Sequence, residues 1–272
     1  MTYLSVLLFL IFVPLMINVI YLLFRHYSPV TAGIPNNSVK TSRYFTAIII
    51  LTIIALLYTT PWDNFLVANE IWYYDTNKVI GIVIGYVPIE EYTFFILQTF
   101  LVSVFIFTFS RTLYLNSTNE KERKDIRVIS TVIFLLIWVA SILSYISQIN
   151  YLVYLNLILI WALPPIILQL MYGADILWQR KFPLILFILI STAYLSIVDA
   201  LAISANIWTI SLNTSTGILI GGILPIEEII FFLVTNVLII FGLTLIVSQK
   251  SILRFKNNLN RFKVKYRKIK GE

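Results

Sequence analysis

Seven stretches of this chain stay apolar for about 20 residues, the length at which a helix crosses the ~30 Å hydrocarbon core of a bilayer. They run over 3–24, 44–62, 79–110, 128–147, 151–174, 183–208 and 217–248. None shows the period-2 alternation of a barrel strand, and backbone polar groups in lipid must be satisfied within the segment, so the runs are expected to be helices. Composition agrees. With 59% apolar and 12% charged residues, against about 25% charged in soluble domains, and a mean hydropathy of +0.90, the chain reads as an all-α integral membrane protein. The first run has no Lys or Arg before it and is too long for a cleavable signal, so it counts as a true crossing.

Charge sets the expected orientation. Under a seven-span layout, nineteen of the 20 Lys and Arg residues fall on one side: Arg25, Lys40 and Arg43, then Arg111 to Arg127, then Arg180 and Lys181, then the tail from Lys250 to Lys270. Only Lys78 falls on the other. The positive-inside rule then puts the N-terminus outside and the C-terminus in the cytoplasm of a multi-pass cell-membrane protein. The +7 net charge reads as topology rather than nucleic-acid recognition, and the tail "RFKNNLNRFKVKYRKIK" is expected to lie on anionic lipid head groups. Cys is absent, which excludes disulfides and thiolate chemistry. The one histidine, His26 beside Arg25, makes no histidine metal site by itself and reads as an interfacial residue.

Within these runs two near-identical phrases place adjacent acids: "VPIEEYTFF" at 87–95 and "LPIEEIIFF" at 224–232. At a spacing of 137 residues Gly85, Pro88, Glu91, Phe94 and Phe95 match Gly222, Pro225, Glu228, Phe231 and Phe232. At 136, Asp63, Ile71, Trp72 and Gly81 match Asp199, Ile207, Trp208 and Gly217, and at 151 Tyr3, Leu4, Pro14 and Tyr21 match Tyr154, Leu155, Pro165 and Tyr172. The chain reads as a duplication with one shortened loop. An odd number of spans per copy would invert the second copy, and the unmatched span at 128–147 corrects that. The expected organisation is a three-helix repeat at 1–113, a linker with one helix at 114–150, a parallel three-helix repeat at 151–248 and a basic tail at 249–272, with both repeats facing one cleft.

Lys78 and Arg111 are separated by 32 residues, about 48 Å as a straight helix, too long for a ~30 Å core. The Gly-rich lead-ins "GIVIGYV" and "GILIGGIL" are therefore expected to break or fold back, with a helix starting near Pro88 or Pro225, since proline suits a first turn and disfavours helix just before it. Glu90, Glu91, Glu227 and Glu228 then sit in first turns, where the helix dipole favours the anion and desolvation opposes it. Glu90 and Phe94, and Glu91 and Phe95, are i,i+4 pairs, so each acid shares a face with a ring. Asp63 in "TTPWDN" and Asp199 in "SIVDALA" fall toward the same leaflet, so six acids converge on one side. Acids within a membrane cost several kcal/mol and usually mark function.

The duplicated "PIEE..FF", the "PWDN" segment and the three-one-three layout resemble the membrane lycopene cyclases of the heterodimeric or fused-subunit type, over essentially residues 1–248. That resemblance implies redox-neutral conversion of the linear ends of lycopene, a carotenoid, to ionone rings. Such chemistry needs an acid for the terminal alkene, a dry cavity for the carbocation and a base for a ring proton. Carried onto matching positions, it implies Glu90, Glu91, Glu227 and Glu228 as acid, base or cation stabiliser, Asp63 and Asp199 as support, and Phe94, Phe95, Phe231 and Phe232 as ring faces for the cation. It implies no cofactor, and no G-x-G-x-x-G follows a strand. Two rivals remain in view. A retinal photoreceptor needs a seventh-span lysine, which 217–248 lacks; a proton- or cation-coupled transporter is the alternative use of the same acids, usually with inverted repeats.

Overall fold

A computed structural model describes residues 1–26, 41–109 and 122–270. Lys40, Arg111 and Lys121 lie outside the described residues, as does the side chain of His26, which closes the first helix. Among the described residues seven helices are long and apolar enough to cross a membrane: Tyr3–Phe24, Ser42–Ala68, Ile89–Phe109, Lys124–Ile146, Asn150–Trp178, Lys181–Ser204 and Ile226–Val247, here called the first to seventh spans. An eighth helix, Gln249–Lys270, is the basic tail. The third and seventh spans are the most buried, and the fourth packs along the fifth with most of its surface exposed. Large exposed side chains such as Phe9, Leu57, Leu136 and Ile185 suit a lipid-facing surface, where apolar groups need no cover.

Helix boundaries follow local chemistry. The third apolar run opens at 79, yet its helix begins only at Ile89, because the lead-in folds back as a hairpin of β2 (Val83–Ile84) and β3 (Val87–Pro88). The seventh repeats this with β5 (Leu219–Ile220) and β6 (Leu224–Pro225) before Ile226. Gly85 makes the first turn possible twice over. Its φ of +70° is left-handed, and a Cβ there would meet Asn64 Oδ1 at 2.1 Å, the same atom that accepts the Tyr86 N–H at 2.7 Å. The second and fifth spans run further than their apolar stretches, to Ala68 past Pro61 and to Trp178, while the sixth stops at Ser204 so that Trp208 can enter a strand. Two more strands cap the bundle: β1 (Trp72–Tyr74) pairs antiparallel with β4 (Trp208–Ile210), Tyr73 opposite Thr209.

Prolines inside spans leave carbonyls without their i+4 N–H, and at three of them a tyrosine or tryptophan from another span donates instead. Pro14 frees the Leu10 carbonyl, which accepts from Tyr194 on the sixth span. Pro165 frees the Trp161 carbonyl, which accepts from Tyr58 on the second span at 2.8 Å. Pro164 likewise frees Ile160, which accepts from Trp138 Nε1 on the fourth span at 3.1 Å. The first two bonds tie 1–109 to 150–247 in both directions. Tyr58→Phe is expected to lower stability in detergent by about 1 kcal/mol, the usual size of one such bond. Adding Pro165→Ala, which restores the helical N–H, is expected to recover most of that loss in the same thermal unfolding assay; no recovery would mean that the tyrosine acts through packing instead.

Candidate active site

Glu90 and Glu91 open the third span, and Glu227 and Glu228 the seventh, each following the proline that ends a hairpin. All four are buried, at 2%, 8%, 0% and 3% exposure, so their polar atoms need partners inside the protein. Adjacent helical residues point about 100° apart, and the structure uses the two directions differently. Glu90 Oε1 accepts from the backbone N–H of Ile80 at 2.5 Å, and Glu227 Oε1 from that of Thr216 at 2.6 Å. These bonds hold the two hairpin lead-ins down on the helix starts. The second oxygen of each, Glu90 Oε2 and Glu227 Oε2, is buried without a hydrogen-bond partner.

Glu91 and Glu228 turn the other way, into one chamber at the centre of the bundle. Glu91 Oε2 accepts from the Tyr3 hydroxyl at 2.5 Å and the Tyr74 hydroxyl at 3.0 Å, and Glu228 Oε1 accepts from the Tyr154 hydroxyl at 2.6 Å. Tyr3 opens the first span and Tyr154 lies in the first turn of the fifth, and each helix start is pinned by a backbone bond, Tyr3 N to Lys78 O at 2.8 Å and Tyr154 N to Thr214 O at 2.9 Å. Tyr74 sits outside the spans on β1, where burial first and the Glu91 carboxyl second push its phenol well above its ordinary value. It therefore stays a proton donor to Glu91. The chamber walls are aromatic: Trp72, Phe94, Trp208, Phe231 and Phe232, with Phe94 and Phe232 edge to face at 6.2 Å between centroids. Its free volume is about 30 Å³, far less than an isoprenoid end group fills.

The remaining sequence candidates divide. Asp199 lines the chamber, and its Oδ1 accepts from Trp208 Nε1 at 3.0 Å. Asp63 is fully buried in the second span, but both its oxygens are without hydrogen-bond partners, as is Trp72 Nε1. Phe95 is buried on the side away from the chamber, facing the cavity between the second and fifth spans, whereas Phe94, Phe231 and Phe232 line the chamber. Glu90 and Glu227 are not among the lining residues. The residues that sequence reasoning missed are Tyr3, Tyr74 and Tyr154. Tyr3 and Tyr154 occupy matching positions 151 apart, which was the available signal; Tyr74, matched by Ile210, had none.

No protein-family model matches the sequence, and no solved structure matches it significantly. Curated relatives do. The bifunctional lycopene cyclase/phytoene synthases of Podospora anserina and Aspergillus niger are each 36% identical, over 208 and 233 residues covering 74% and 80% of this chain. The chain spans only 35% and 39% of their length. The lycopene beta-cyclase of Halobacterium salinarum is 36% identical over 198 residues, which cover 72% of this chain and 80% of that protein. With that coverage the chain belongs to the lycopene cyclase family.

Proposed function

We propose that this chain is a lycopene cyclase that forms ionone rings by proton transfer from membrane-embedded glutamates. One observation carries the reading: Glu91 and Glu228, from matching positions, face a single aromatic chamber, and tyrosines hold both carboxyls. In its acid form one of them gives its proton to the terminal alkene of the polyene, whose π electrons make the new C–H bond and leave a tertiary cation. The next alkene along the chain attacks that cation and closes the six-membered ring, moving the charge onto a ring carbon. A carboxylate then takes a ring proton, and the C–H electrons become the ring double bond. No electron is gained or lost overall, so no redox partner is called for.

The surroundings suit each step. Ring faces of Phe94, Phe231 and Phe232 stabilise a transient cation, and the tight apolar walls keep out water that would quench it. A chamber of about 30 Å³ admits an isoprenoid end only if those rings turn aside, so substrate entry and water exclusion are one event. Glu90 and Glu227 support the site by fixing the hairpins. Asp63 and Asp199 complete the set of acids at this end of the bundle. The same reading takes the three-helix units as parallel repeats related about the membrane normal, with the N-terminus outside. The basic tail then lies on cytoplasmic anionic lipid, consistent with Arg254 gripping Asp175 at the opposite end of the bundle from the acids.

Expressed in a host that accumulates lycopene, the chain is expected to shift the pigment from red toward orange-yellow through a monocyclic intermediate. Unchanged pigment with well-folded protein in the membrane would exclude lycopene as its substrate there. Glu91→Gln and Glu228→Gln are each expected to reduce product formation by about 100-fold or more, the usual worth of an acid or base. Glu90→Gln and Glu227→Gln keep an acceptor for the hairpin N–H and are expected to lose less than about tenfold. Equal losses at all four positions would undo this division of roles.

A further inference from the structure

The central chamber adjoins a cavity on each side. One, of about 190 Å³, lies among the first, third and sixth spans and shares Leu195 with the chamber. The other, of about 310 Å³, lies among the second, third, fifth and seventh spans and shares Phe231. They occupy matching places: Pro14, Tyr194 and Leu101 on the smaller side correspond to Pro165, Tyr58 and Leu238 on the larger. Their contents differ. On the larger side rings stack from cavity to chamber, Tyr58 on Trp161 at 5.8 Å, Trp161 on Trp62 at 4.4 Å and Trp62 on Phe231 at 5.8 Å, with planes within 22° of parallel. On the smaller side Leu10 and Val198 stand where Trp161 and Trp62 would be, and Phe105 takes up space where its match is Gly242.

We infer that the larger cavity is the channel for the polyene tail, so that the substrate lies on one side only of the acid chamber while its end group reacts. This rests on the cyclase reading for the nature of the end group. A conjugated chain is long and apolar, and it gains dispersion energy against a continuous apolar wall along its path. The stack from Tyr58 to Phe231 provides that path and ends at the ring beside Glu228. Ile54 and Leu168 line the same cavity and are 54% and 60% exposed, so its mouth opens on the lipid in which such a substrate dissolves. A substrate with two reactive ends must then leave, turn and re-enter between ring closures, which makes the monocyclic product a released species.

Ala55 and Ser191 are matching positions, one in each cavity, and give a paired test. Ala55→Phe is expected to lower lycopene conversion by about tenfold or more and Ser191→Phe to change it by less than about twofold. Leu168→Trp, at the lipid-exposed mouth, repeats the first arm should Ala55→Phe fold poorly. Binding is measured separately, on full-length protein made inert by Glu91→Gln and Glu228→Gln, from the circular dichroism induced in bound lycopene. Adding Ala55→Phe or Leu168→Trp is expected to abolish that signal, and Ser191→Phe to keep it. Equal binding by all variants, or loss on Ser191→Phe alone, would overturn the channel assignment. Binding that follows the expected pattern in a chain that never converts lycopene would leave the channel standing and remove the cyclase reading instead.

Discussion

A carboxyl group in a hydrocarbon interior must be hydrogen-bonded or it costs several kcal/mol, and the centre of this protein is organised by that requirement. Four glutamates enter the bundle at two helix starts, and each finds a donor from another element: a hairpin N–H for Glu90 and Glu227, tyrosine hydroxyls for Glu91 and Glu228. Those donors are in place only if the first and fifth helices begin near Tyr3 and Tyr154 and if both lead-ins fold back. The proline before each acid pair, the left-handed glycine and the pinned helix starts are therefore parts of one solution.

Much of this was legible in the sequence because membranes leave few choices. Apolar length fixed seven spans, and the excess of residues between Lys78 and Arg111 demanded the break that the hairpins supply. The recurrence of PIEE marked both acid pairs. What pattern alone did not separate was Glu90 from Glu91. Neighbours on a helix differ by about 100° in direction, and which of them faces inward is decided by packing against spans far away in the chain. The tyrosines stayed hidden for a related reason. Tyrosine at the start of a span is common as an interfacial anchor, so nothing local distinguishes Tyr3 at a lipid boundary from Tyr3 hydrogen-bonded to a residue 88 positions away. The proline–tyrosine ties were equally invisible, since Pro14 and Tyr194 have no sequence relation beyond their contact.

Matching positions do not carry matching interactions everywhere, and the differences cluster at the chamber. Asp199 accepts from Trp208, whereas Asp63 and Trp72, at corresponding places, make no such bond. Glu91 has two tyrosine partners, and Glu228 has one tyrosine with the Asp199 carboxyl beside it. The two carboxyls thus meet different neighbours although both belong to the recurring PIEE phrase.

Proton-initiated ring closure needs one carboxyl to hold the proton and another to be ready to take one. An acid and a base of equal strength would exchange roles at random, and half of the bound substrate would meet a carboxylate where it needs a proton. On the proposed reading Glu228, with Phe231 three residues on at the end of the ring stack, holds the proton at the start, and Glu91, held by Tyr3 and Tyr74, is the base. After ring closure the proton taken from the ring sits on Glu91, and Glu228 is left as the anion. One proton has entered and one has left the substrate, so resetting the site needs only its transfer between two carboxyls that share the same chamber. On the same reading a single chamber lined by both acids resets without a proton supply from either side of the membrane.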